Sequence, residues 1–145
     1  MITDAIITHL TTALDGSYRT VAGALDLDRL AKGRGGAAAV KAPAAYVVPQ
    51  GDRSASNQVG IGETQQRLVE RYIVVTALEA KNQRTAAQAE GELEVLRQTL
   101  RSALIGWQPD PGRMPMLFVT GRLLAVENGR VWWEDVFETD IWVRV

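Results

Sequence analysis

The sequence predicts an α+β fold of two layers, with helices packed on a mixed or antiparallel sheet of about four strands. Residues 67–78 (RLVERYIVVTAL) and 129–145 (GRVWWEDVFETDIWVRV) are rich in the β-branched and aromatic residues that favour strands. Between them, leucine and alanine recur every three or four residues from 86 to 104, which is typical of a long amphipathic helix. The expected order is α-(α)-β-β-α-β-β, with the long helix central and an N-terminal helix packed on the sheet.

The composition limits the class of protein. The 145 residues are about the length of one domain, and an apolar content of 46% excludes a disordered chain. A formal net charge of -1 argues against a dedicated nucleic-acid-binding protein, which has a basic excess. Cysteine is absent, and no apolar run reaches the ~20 residues that span a bilayer. We therefore expect one soluble intracellular domain over 1–145, with no membrane partner.

The N-terminal half predicts two helices, one strand and two loops. The first helix begins near Thr3 and ends near Gly16, and a short helical turn occupies residues 23–33. A glycine-rich basic stretch predicts a flexible loop at about 32–42, after which Ala44 to Val48 form a strand. Residues 49–65 contain few apolar side chains, so we expect a second flexible loop there, of a length that is usually functional or disordered.

The C-terminal half predicts a strand, the long helix and a hairpin. The strand from about Gln66 to Leu78 is apolar on both faces in its second half, which indicates a central position covered on both sides. Thr85 and Gln88 have the spacing of a capping box at the start of the long helix. Asn128-Gly129 predicts a two-residue hairpin turn. That turn would place Val126 opposite Val131, Leu124 opposite Trp133, and Arg122 opposite Asp135 as an ion pair.

The final strand has one apolar and one polar face. The apolar face comprises Val131, Trp133, Phe137, Ile141 and Val143, and the polar face comprises Trp132, Glu134, Glu138, Asp140 and Arg144. Fully extended, residues 130–145 would span roughly 50 Å, more than the ~40 Å diameter expected for the domain. We expect the strand either to bend at a bulge or to overhang and offer an edge to a partner.

Residue patterns that would indicate catalysis are lacking. His9 is the single histidine, so a metal site or a histidine-based triad has no second member, and we expect a structural role for it. The glycine-rich GRGG and GIGE stretches lack the lysine and helix of a P-loop and the third glycine of a dinucleotide motif. Strand alternation separates Asp135 from the neighbouring acids, which favours a solvated acidic face. We expect no enzyme activity, no metal and no cofactor.

Three stretches resemble the tail terminator (tail completion) proteins of long-tailed bacteriophages, particularly the Mu-like group. They are APAAYVVPQGD at 42–52, LIGWQPDPG at 104–112 and GRVWWEDVFETDIWVRV at 129–145. The resemblance implies a non-enzymatic virion protein that forms a hexameric ring on the tail tube, stops tube polymerisation and contacts the head-tail connector. Its location would be the head-proximal end of the tail, after assembly in the host cytoplasm.

A ring requires two unlike surfaces on each subunit, and the charge distribution suggests a pair. Residues 29–53 hold five basic residues against one acid, a net of +4, whereas 127–145 hold two against five, a net of -3. We expect Lys41 or Arg53 to lie near Glu134, Glu138 or Asp140 of a neighbouring subunit. The candidate interface also includes Trp132 and Trp142.

The second loop would contact the tail tube protein or the next subunit, with Asp52, Arg53, Asn57, Gln58 and Glu63 as candidate contact residues. Lys32 and Arg34 are candidates for contacts with DNA phosphates in the ring lumen, without sequence preference. Three alternatives remain open from the sequence: another small head-tail connector or baseplate protein of similar fold, a small α/β enzyme with a convergent site, and a DNA-binding protein.

Overall fold

The computed structural model of the chain describes residues 1–31, 41–54, 62–80, 85–127 and 129–144, with the backbone alone for 29–31. The elements are α1 (Thr3–Ala13), β1 (Thr20–Gly23), α2 (Ala24–Ala31), β2 (Ala44–Ser54), β3 (Gln65–Glu79), α3 (Ala86–Leu104), β4 (Leu117–Glu127) and β5 (Arg130–Arg144). The strands form one sheet in the order β1-β2-β3-β5-β4.

The predicted α+β class and mixed sheet are confirmed, but the described chain has five strands instead of about four. β1 is parallel to β2, with Thr20 opposite Ala44, and every other neighbouring pair is antiparallel. The prediction missed β1 because four residues are too few for an alternating pattern, and its parallel pairing depends on a distant segment. The observed order is therefore α-β-α-β-β-α-β-β.

The main core lies between the sheet and the two longer helices. α1 contributes the fully buried Ile6 and Leu10, and α3 contributes Leu100 and Leu104, all packed against apolar side chains of β2, β3 and β5. The predicted capping box is present. The Gln88 backbone N–H donates a hydrogen bond to the Thr85 side chain, and the Thr85 backbone N–H donates one to the Gln88 side chain. Burial of the leucine stripe stabilises α3 on the sheet.

A smaller cluster occupies part of the opposite face of the sheet. There Tyr46, Val75 and Ala77 pack with Leu27 of α2 and with Trp132. Val74 and Leu78 belong to the main core on the other face. The prediction that the second half of β3 is covered on both sides is therefore confirmed.

The predicted loop at 49–65 is wrong for its first part, because β2 continues to Ser54. The ladder between β2 and β3 extends to Ser54 opposite Leu68, with a bulge between Pro49 and Gly51. This end of β2 is exposed, so backbone pairing holds it in a strand without apolar side chains. Residues 55–61 lie outside the described residues, as do 32–40 of the other predicted loop.

The terminal hairpin forms with a different register from the predicted one. Val126 is opposite Val131 as expected, but the ladder shifts at Leu124, so that Leu123 faces Trp133 and Arg122 faces Glu134. The predicted Leu124–Trp133 and Arg122–Asp135 pairs are therefore wrong. The extra residue at Leu124 shifts the partners of Leu123 and Arg122 by one position, and the sequence of the turn does not indicate this bulge. Asn128 of the predicted turn lies outside the described residues.

β5 has no bulge in its ladder with β3, and β3 is long enough to pair with all of it. Its 15 residues pair continuously with the 15 residues of β3, from Arg130 opposite Glu79 to Arg144 opposite Gln65. The backbone of β5 is therefore paired along its whole length on this side, because β3 is equally long.

Candidate interaction surfaces

The polar face of β5 forms a ladder of ion pairs within the chain. Arg71 Nε lies 3.2 Å from Glu138 Oε2, Arg67 Nη1 lies 3.3 Å from Asp140 Oδ2, and Arg122 Nε lies 3.4 Å from Glu134 Oε1. We call these six residues the charge ladder. Each acid that the sequence suggested for contact with a neighbouring subunit therefore already has an arginine partner in its own chain.

The remaining candidate interface residues lie at opposite ends of the sheet. Arg53 is opposite Val69 in the ladder between β2 and β3, and Val69 is opposite Asp140 in the ladder between β3 and β5. Arg53 therefore lies beside the charge ladder, and its side chain is exposed. Lys41 precedes the other end of β2, a strand about 35 Å long. Trp142 is exposed near Arg53, whereas Trp132 packs against the smaller cluster at the far end. The two cations therefore do not form a single patch.

The predicted loop residues are described in part. Asp52 is exposed and opposite Glu70, and Glu63 is exposed just before β3. Asn57, Gln58, Lys32 and Arg34 lie outside the described residues.

A buried polar network that the sequence did not predict holds the segment between α3 and β4. Arg113 Nε donates to Glu70 Oε1 at 2.9 Å, and Tyr72 donates to the other oxygen of Glu70 at 2.9 Å. Arg113 also pairs with Asp110. Burial and the bond to Glu70 raise the pKa of Tyr72 to about 12. The network fixes residues 107–116, which we call the strap.

The strap covers part of the β5 edge beyond β4. The Met114 backbone N–H donates to Asp140 O at 2.9 Å, and the Thr139 hydroxyl donates to Met114 O. Arg113 forms an isolated bridge with Ile141. The strap thereby satisfies backbone groups of β5 that β4 does not reach.

A second buried network joins α3 to the terminal hairpin. Asp135 is fully buried, and its carboxylate accepts from Arg97 Nη2 at 2.8 Å, from Arg97 Nε at 3.2 Å and from Trp133 Nε1 at 3.2 Å. The Arg97 guanidinium also lies over the Trp133 ring, 4.3 Å from its centroid. Asp135 therefore positions α3 on β5.

The glycine at position 121 leaves room for this second network. A Cβ there would lie 2.5 Å from Arg97 Nη2 and 2.6 Å from Asp135 Oδ1. We expect Gly121→Ala to destabilise the fold by about 1–3 kcal/mol, because the ion pair must move to admit the methyl group. Thermal unfolding would measure this effect.

Gly91 provides the matched control for that substitution. It lies in α3, and a Cβ at this position would meet no other atom within 4 Å, so Gly91→Ala should stabilise the helix by about 0.5–1 kcal/mol. Equal stability of the Gly121→Ala variant and the unchanged chain would contradict the close packing at Gly121.

His9 has the structural role that the sequence predicted. Its Nε2–H donates to Ala103 O at 2.8 Å, and its ring stacks on Trp107 with 4.2 Å between centroids. These contacts attach α1 to the end of α3. Within the described residues, no group of three or more acids or histidines is placed to hold a metal ion. No helix in the described part of the chain is long and apolar enough to cross a membrane.

Comparisons with known proteins agree with this architecture. A family model described as phage tail terminator protein matches residues 1–145. The fold is similar to that of a chain in the virion of a native gene transfer agent (GTA) particle, with a TM-score of 0.53. The identity is 13%, and the match covers 98% of this chain and 95% of that one. No curated protein matches the chain significantly. Since the family match covers the whole chain, this protein belongs to the phage tail terminator family, whose members are structural proteins of the virion tail.

Proposed function

We propose that copies of this chain form a hexameric ring at the head-proximal end of the tail tube. The ring ends tube polymerisation and forms the tail side of the head-tail joint, and it assembles in the host cytoplasm. The whole of 1–145 acts as one tail-terminator domain without enzymatic activity. The observation that supports this function is the family match over the entire chain.

The sheet supplies a physical basis for ring formation. Its two edges differ, since β1 has 4 residues and is parallel to its neighbour, whereas β4 has 11 and is antiparallel. A subunit with two unlike edges can make heterologous contacts, in which one surface meets a different surface of the next copy, and such contacts form a ring when the rotation between copies closes.

The tail tube protein and the head-tail connector protein are the other partners. The exposed end of β2, with Asp52 and Arg53, and the residues that follow, with Asn57, Gln58 and Glu63, contact the tube or the next subunit. Trp142 lies beside this end of the sheet. Any contact of Lys32 and Arg34 with DNA would be with phosphates and without sequence preference.

The charge ladder limits the ways to test the expected contact between Lys41 or Arg53 and the acids of a neighbouring subunit. Reversing Glu138 would break its ion pair with Arg71 as well as any contact with a neighbouring Arg53 or Lys41. A weaker ring would then have two explanations. Variants of the ladder are therefore unsuitable as evidence for a contact between subunits.

Shortening residues 55–61 to a Gly-Ser turn tests the function directly. We expect a folded chain that fails to cap tail tubes, because it lacks the residues that reach the tube. Purified tubes would be incubated with each protein and imaged by negative stain, with circular dichroism as the check on folding.

The unchanged chain should form rings at one end of the tubes, and a variant with only Asp4→Asn, at an exposed residue of α1, serves as the control for surface changes. Normal capping by the shortened chain would contradict the role of this segment. The alternative, another head-tail connector or baseplate protein, would be supported by antibody labelling away from the head-proximal tube end.

A further inference from the structure

The outer edge of β4 is unusually apolar for an exposed strand. Leu117, Leu123, Leu124 and Val126 are 57%, 52%, 41% and 66% exposed, and no other strand in the described part of the chain lies outside β4 in the sheet. Exposed apolar strand edges mark sites that pair with other chains. We call Leu123, Leu124 and Val126, together with the α3 acids described next, the β4 edge.

Helical spacing places two acids of α3 on the flank of the helix that follows the hairpin. Arg101 lies over the Phe118 ring and Arg97 over the Trp133 ring, so this flank of α3 follows the hairpin. Glu94 and Glu90 continue the same flank at helical spacing, towards the Leu123–Val126 end of β4. Both acids are exposed, and within the described residues neither has an ion-pair partner.

Two exposed basic residues lie near the start of β1, the outer strand at the opposite edge of the sheet. Arg19 and Lys41 are exposed on either side of the first residues of β1, and neither has an ion-pair partner among the described residues. Their backbones are held in place, since the Arg19 N–H donates to Pro43 O at 2.8 Å and Thr20 Oγ1 donates to Lys41 O at 2.9 Å. One acid, Asp15, lines the same shallow hollow.

This opposite edge also has an exposed apolar side chain. Leu25 lies at the start of α2, directly after β1, and is 72% exposed. We call Arg19, Lys41 and Leu25 the β1 edge. It combines an apolar side chain with two cations that have no ion-pair partner among the described residues, while Asp26 and Asp28 of α2 have interactions of their own.

We infer that the β4 edge of one copy of this chain docks on the β1 edge of a second copy. Glu90 and Glu94 face Arg19 and Lys41, while Leu123 and Val126 pack near Leu25. The opposite charges fix the orientation of approach. The inference rests on the proposed function only in taking another copy as the partner. It assigns the contact between subunits to Glu90 and Glu94 of α3 and not to the acids of the charge ladder.

Charge reversal in matched pairs tests the contact. One variant, Glu90→Lys with Glu94→Lys, makes the β4 edge basic. The other, Arg19→Glu with Lys41→Glu, makes the β1 edge acidic. Each alone places like charges across the contact, so self-association measured by sedimentation velocity and native mass spectrometry should weaken by at least about ten-fold.

Mixing the two variants should restore assembly, because each contact then joins a basic edge to an acidic one. Restoration is expected at about 0.1 M salt and should fade at about 1 M, where the screening length falls from ~10 Å to ~3 Å. The control is Asp4→Lys with Gln98→Lys and Ser102→Lys, which raises the net charge by the same amount at exposed residues of α1 and of the side of α3 towards α1. Circular dichroism would establish that every variant folds.

The outcomes separate this inference from the proposed function. Variants that assemble as well as the unchanged chain, a mixture that fails to recover, or an unchanged chain that stays monomeric up to its solubility limit would overturn the edge contact. If the unchanged chain nevertheless caps tail tubes, the proposed function stands. A chain that assembles through these edges but never binds tubes would support the contact and contradict the function.

Discussion

Replacing Asp135 with alanine should lower the free energy of unfolding by about 3–5 kcal/mol, the cost of leaving a buried charge without its partner. Arg97 is only 16% exposed, and Asp135 is its ion-pair partner. The substitution also removes the acceptor for Trp133 Nε1. Thermal and urea unfolding would measure the effect, with a decrease in melting temperature of about 10–15 °C.

Two further variants keep this prediction specific. The double substitution of Arg97→Met with Asp135→Leu should recover much of the loss, because apolar side chains can replace a buried ion pair at little cost. The control is Glu134→Gln, which removes the charge that pairs with Arg122 and should cost about 0–1 kcal/mol, because Arg122 is 69% exposed and stays hydrated. A loss below about 1 kcal/mol in the Asp135→Ala variant would show that Arg97 reaches water in its place.

Glu70→Ala should destabilise the chain by about 2–5 kcal/mol and should release the strap, because two buried donors lose their acceptor. The substitution leaves Arg113, which is 14% exposed, with Asp110 alone, and it removes the acceptor of the Tyr72 hydroxyl. Hydrogen exchange of residues 107–116 and of Thr139 to Ile141 should accelerate, because the strap covers that part of the β5 edge.

The Asp110→Asn variant is the control for the strap. Asp110 also pairs with Arg113 but is more exposed, so a much smaller loss of stability than in the Glu70→Ala variant is expected. If hydrogen exchange of the strap in Glu70→Ala remained as slow as in the unchanged chain, the turn around Asp110 and the contacts of Met114 would suffice to hold it.

Much of the fold could be predicted from local patterns. The leucine spacing and the Thr85–Gln88 box predicted α3, and both are present. The density of Val, Ile and Tyr predicted β3 at the centre of the sheet, where it lies. These signals are local, because helical periodicity and β-branched content reflect burial of one or both faces of the same segment.

The candidate interface was predicted less well, because its residues acquire their partners from other segments. Glu138 and Asp140 face arginines of β3, and Glu134 faces Arg122 only because of the bulge at Leu124. The sequence contained one usable signal for the buried network. A glycine inside a strand, here Gly121, often marks a close approach by another group.

The sequence by itself determined the fold class, the long helix, the central strand and the absence of cysteine chemistry, because composition and periodicity are properties of each segment alone. Only the tertiary structure decided which charges are paired and which are exposed for contact. Strand register places Arg71 on Glu138, while the position of α3 brings Arg97 to Asp135 and leaves Glu90 and Glu94 exposed. Ion pairing depends on distances of a few ångströms between segments far apart in the chain, and only packing sets those distances.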